Sequence, residues 1–149
     1  MRRFLVIIFA LFLISCAQSG KIERRIGEQI NRCKPDIPCV IKIKDLTDFT
    51  WDEMHVFEYG ASLDEIEKEI GTSFPNYVEF TRRLVFLNDG KIVHREDEPT
   101  NIERPVNGKV SFAESFSRHH WFFTPDEAVF IAEKRRFDSG VYYILNRSR

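Results

Sequence analysis

The chain has 149 residues, with 22 lysines and arginines against 23 aspartates and glutamates and a formal net charge of −1. That balance excludes a strongly basic nucleic-acid-binding domain, which needs a cationic face. The length suits one folded unit with a core of useful size.

Arg2 and Arg3 precede an unbroken apolar run from Phe4 to Ile14, closed by Ser15 and Cys16. A positive start, a short apolar run and a small residue at its end make a secretory signal peptide. As a helix the run reaches about 16 Å, against about 30 Å for a bilayer core, so it is too short for a stable span. Leu13-Ile14-Ser15-Cys16 resembles the bacterial lipobox. The resemblance implies a diacylglyceryl group on the Cys16 sulfur, cleavage before Cys16, and a further fatty acyl chain, of the palmitate kind, on the new amino group. One chain holds a protein only marginally, whereas two or three anchor it durably. Ala17 follows, with no aspartate there. By resemblance to Gram-negative lipoproteins, this implies the outer membrane, facing the periplasm. The expected organisation is a signal over 1–15, a lipidated Cys16 with a tether to residue 20, and one α+β domain over 21–149. Extended, residues 17–20 reach about 14 Å at most, which keeps the domain close to the membrane. Loss of Arg2 and Arg3 leaves a balance of 20 − 23 = −3 in the mature chain.

Ile22, Ile26 and Ile30 recur every four residues and predict a helix over 21–32, which Pro35 stops. Cys33 and Cys39 flank a turn set by Pro35 and Pro38. Outside the cytoplasm such a pair tends to form a disulfide. The alternatives are two reduced, buried thiols or, less consistent with the spacing, a zinc site. Alternation over Cys39 to Lys44 predicts a strand, with Asp45 to Thr50 as a turn. A second strand follows over Trp51 to Tyr59, with Met54 and Val56 on one side and His55, Phe57 and Tyr59 on the other. Ser62-Leu63-Asp64-Glu65 is a capping box. It opens a short helix carrying Leu63, Ile66 and Ile70 on one face, stopped at Gly71.

Phe80 to Leu87 and Lys91 to Arg95 flank Asn88-Asp89-Gly90, a hairpin signal. Glu96 to Asn107 is polar, contains two prolines and reads as a loop. Gly108 to Ala113 and His120 to Phe123 are expected strands. Thr124-Pro125-Asp126-Glu127 could cap a helix or turn into a strand through Ala128 to Glu133. The strand is favoured, because Phe137-Asp138-Ser139-Gly140 signals a hairpin to Val141 to Leu145. The sum is an α+β fold: a mostly antiparallel sheet of five to seven strands, with one or two helices packed on one face.

Candidates for chemistry are few. Ser117-Arg118-His119-His120 is the densest polar cluster, yet adjacent histidines on a strand point to opposite faces and do not chelate one metal. His55 and His94 read as isolated. No Gly-x-Ser-x-Gly elbow and no phosphate-binding glycine loop is present. Asp64, Glu65, Glu67 and Glu69 read as a solvated helix face. Glu96-Asp97-Glu98 lacks the alternating pattern of a calcium loop. No metal and no cofactor is expected.

The stretch from Leu46 to Phe57 sets two aromatics among acids. Phe49 and Trp51 are expected either to pack beneath the first helix or, with Asp52 and Trp121, to form a partner surface, since Trp anchors many interfaces. Thr47-Asp48-Phe49-Thr50-Trp51-Asp52 resembles the Thr-Asp-Phe-x-Trp-Asp segment of a family of small uncharacterised bacterial exported proteins and lipoproteins. The resemblance implies location and fold, and carries no catalytic residue. The expected function is a non-enzymatic, membrane-anchored envelope lipoprotein that binds an envelope protein, a cell-wall component or a lipid. The alternative is an inhibitor or immunity-type lipoprotein, whose acidic field would steer a basic toxin or hydrolase toward it. A hydrolase ranks third, for want of a nucleophile and base.

Overall fold

The computed structural model describes residues 20–99, 108–113, 119–138 and 140–148. The signal segment, Cys16, most of the tether, Ser117 and Arg118 lie outside the described residues. The elements run in the order α1 (Lys21–Arg32), β1 (Cys39–Lys42), β2 (Glu53–Phe57), α2 (Leu63–Ile70), β3 (Thr81–Asn88), β4 (Lys91–Pro99), β5 (Lys109–Phe112), β6 (His120–Phe123), β7 (Val129–Phe137) and β8 (Gly140–Arg147).

The fold is α+β and mostly antiparallel, as expected, but the eight strands among the described residues exceed the five to seven anticipated and form two sheets. One sheet has the order β1-β7-β8-β5 and the other β4-β3-β2-β6. Among the described residues, only β5 and β8 run parallel. The inner faces meet in one core, where Phe123 lies edge-on to Phe130 at 5.2 Å between ring centroids. Met54, Val56, Leu84 and Phe86 line the second sheet's inner side, facing Ile41, Val110, Phe112 and Leu145. A second sheet arises because Trp121 and Phe123 need the same cover as Met54 and Val56, beside which β6 pairs.

The helices do not share a face. α1 adds Ile22, Ile26 and Ile30 to the core between the sheets. A Cβ at Gly27 would come within 3.0 Å of the Tyr143 ring, so glycine there lets α1 lie close on β8. α2 covers the opposite face of the second sheet, burying Ile66 and Ile70 against Phe57, Val85 and Leu87. Its start is the expected capping box, with the Glu65 N–H donating to Ser62 Oγ and the Ser62 N–H to Glu65 Oε2. Gly71 ends it at φ 67°. Among the described residues no helix is long and apolar enough to cross a membrane.

Two loops differ from expectation. β1 stops at Lys42, and a 3-10 turn takes Ile43–Leu46. β4 continues to Pro99, where a loop was expected from Glu96. Cross-strand charge explains this: Glu98 stands opposite Arg82, and Asp97 opposite Arg83, pairs that stabilise a ladder. Asp89 and Gly90 both have positive φ, 51° and 68°, as a two-residue hairpin turn needs. Thr124–Glu127 caps a turn without a helix: the Thr124 N–H and hydroxyl both donate to Glu127 Oε2, and β7 follows.

Candidate functional site

Two polar clusters lie on the second sheet, one on each face. The inner cluster gathers at the start of α1. Helical spacing places Glu23 beside Ile26, Gly27 and Ile30, so the helix carries it into the interior along with the apolar stripe. There it pairs with the Arg82 guanidinium. Arg82 Nε donates to Glu98 Oε2 at 2.7 Å. That carboxylate also accepts from the Tyr59 hydroxyl at 3.3 Å, and Lys109 Nζ reaches the same hydroxyl at 2.5 Å. Glu96 turns the other way: its Oε1 accepts the Ile22 N–H at 2.6 Å, placing a carboxylate on the positive end of α1. A Cβ on Gly20 would fall 2.0 Å from Glu96 Oε2, so a side chain there would displace the carboxylate that closes over the helix start.

Burial pushes the Glu23 carboxyl up to about 7, with Arg82 pulling it back. Burial also raises the neighbouring Glu58. Burial alone would lower the Arg82 pKa, but Glu23 and Glu98 outweigh it and hold the guanidinium firmly charged. The result is one cation locked among carboxyls, a clamp joining α1 to β3 and β4.

The outer cluster sits at the edge formed by β6. In the antiparallel register Phe57 faces His120 and His55 faces Phe122, so His55 and His120 are diagonal neighbours on one face. His55 Nδ1 lies 2.9 Å from His120 Nε2. His55 Nε2 lies 3.2 Å from Glu53 Oε2, and His120 Nδ1 lies 3.4 Å from Glu69 Oε2 on α2. A carboxylate, two imidazoles and a second carboxylate thus form a chain. It borders a cleft of about 380 Å³ lined by Phe57, Ala61, Glu65, Glu69, His119 and His120. Burial lowers both imidazoles, and for His120 the charge of His55 adds to the effect.

Of the two readings of this stretch, packing agrees with the structure, and the alternative partner surface of Phe49, Trp51, Asp52 and Trp121 does not assemble. Trp51 and Trp121 are each only 6% exposed and belong to the core. Trp51 abuts Phe86 edge-on at 5.3 Å and donates its Nε1–H to Thr47 Oγ1 at 3.0 Å, so both its apolar body and its polar handle are used internally. Phe49 packs half-buried, its ring stacked on His94 at 4.7 Å. Asp52 is exposed and caps the hairpin by accepting the Asp89 N–H at 2.8 Å. The sulfurs of Cys33 and Cys39 are joined at 2.05 Å. No group of three or more His, Cys, Asp or Glu among the described residues could hold a metal ion.

Sequence reasoning missed both clusters. The Glu23 signal was present in its spacing to Ile26 and Ile30, and the Arg82-Arg83 pair interrupts an otherwise apolar strand. The histidine pair had no local signal, because it depends on the register between β2 and β6. No family model, curated protein or solved structure matches the chain.

Proposed function

We propose that this protein is a lipid-anchored envelope lipoprotein whose folded domain binds a partner protein beside the membrane, without transforming a substrate. The apolar leader and Leu13-Ile14-Ser15-Cys16 support the anchor. The bonded Cys33 and Cys39 support an oxidising compartment, where disulfides persist.

The observation that carries the binding reading is an exposed apolar group at the disulfide loop. Ile37 is 59% exposed, Val40 44% and Ile131 39%. Val40 and Ile131 are direct partners across β1 and β7, and β1 is the outer strand of its sheet. A groove of about 740 Å³ runs beside them, between the Cys33–Cys39 loop and Glu133. Apolar surface grouped in this way marks partner sites. This surface takes the role once expected of the tryptophans.

The test is capture from solubilised envelopes with the anchored protein, beside a Val40→Asp/Ile131→Asp variant. Wild type is expected to retain a protein that the variant loses while both keep the anchor. Recovery of envelope lipids alone by wild type would overturn the reading.

A further inference from the structure

The chain Glu53–His55–His120–Glu69 contains two hydrogen bonds and one ion-pair contact, His120 to Glu69, and each is filled by one proton between its two atoms. Two neutral imidazoles bring two protons, and ionised carboxylates bring none. One contact is therefore empty whatever the tautomers. A third proton turns one ring into an imidazolium and fills all three. The contacts measure 3.2, 2.9 and 3.4 Å in order along the chain, so the longest, His120 to Glu69, is the one given up when the third proton leaves.

We propose that this chain of side chains is a proton-operated latch, in which one proton shared by His55 and His120 ties the last turn of α2 to the edge strand β6. Glu69 precedes Ile70, the last residue of α2. With the third proton bound, His120 Nδ1–H donates to Glu69 and closes one wall of the cleft beside Phe57 and Ala61. With it gone, a bare Nδ1 lone pair faces a carboxylate, and Glu69 turns to water. Both rings stay packed in either state, His120 stacked on Phe57 at 4.6 Å and His55 edge-on to Phe122 at 5.2 Å, so only the Glu69 contact changes.

The charges acting on the rings are Glu53 from β2, Glu69 from α2 and the rings on each other. From β3, the residue opposite His55 is the apolar Val85. Because burial sets both imidazoles below their ordinary range, the latch closes on mild acidification and is open at neutral pH.

The test uses the full chain in detergent micelles. Imidazole ¹⁵N shifts are followed with pH, together with exchange protection of the last-turn amides of α2, corrected for intrinsic rates. Above the step both rings are expected as the Nε2–H tautomer, with His120 Nδ1 bare. Through the step one proton enters the pair as a unit, and last-turn protection rises about two- to fivefold on acidification, as a half-exposed ion pair allows. Glu69→Gln supplies the missing donor, because its amide N–H bonds the bare Nδ1. In that variant protection is expected to stay at the closed level at all pH values. Wild-type protection that is level through the step overturns the latch. So does a Glu69→Gln chain that keeps the wild-type dependence or lacks protection at low pH too.

Discussion

Glu23 is where burial and charge most directly oppose each other, and its replacement by glutamine measures the outcome. The carboxyl titrates at about 7 in the folded chain against an ordinary 4.5. At about 1.4 kcal/mol per unit, that gap is worth about 3–4 kcal/mol in full, of which about 3 kcal/mol falls between pH 4.5 and 8.5. The sign follows from a raised folded value. The folded state binds the proton more tightly, so the stabilisation is complete below 4.5 and is lost as pH rises through 7. Glutamine keeps the shape and a donor to its surroundings but does not titrate. Urea unfolding with the disulfide intact, at pH 4.5 and at pH 8.5, gives the stability of wild type and of Glu23→Gln under each condition. Wild type is expected to lose about 3 kcal/mol relative to the variant across that interval. An equal difference between the two proteins at both pH values would refute the reasoning, because Glu23 would then titrate alike in the folded and unfolded chain.

Two further outcomes test the packing. Trp51→Ala removes a core ring and is expected to cost about 3–5 kcal/mol in chemical unfolding; a cost under about 0.5 kcal/mol would return the residue to the surface. Opening the disulfide with Cys33→Ser/Cys39→Ser frees a loop of sequence separation 6. It is expected to lower stability by about 2 kcal/mol, and titration of native wild type is expected to find neither thiol free.

Where the sequence was legible, one local rule decided the outcome. Ser62 and Glu65 cap α2 through their own backbone, and Asp89-Gly90 turns a hairpin because both positions take positive φ. The spacing of Ile22, Ile26 and Ile30 marks α1 without reference to its partners. Features that depend on two distant segments were hidden. β4 runs past Glu96 because Arg82 and Arg83 neutralise Glu98 and Asp97 from the next strand, so a polar run that reads as a loop is a ladder. Trp51 reads equally as a packed ring or an interface anchor from the sequence, and only the two facing sheets, which enclose it with Trp121, decide for packing. His55 and His120 are far apart in the chain and meet only through one strand register; a slip of a single residue would separate them.

Export and an acyl anchor at Cys16 are the premises of the proposed function. Intact-mass analysis of the amino-terminal peptide from the natural protein tests them most directly, with Cys16→Ser alongside. The peptide is expected to begin at Cys16 and to carry the mass of two or three fatty acyl chains, and the variant is expected to remain an unmodified precursor. A wild-type peptide that begins at Met1, or at a Cys16 with a bare thiol, would contradict them.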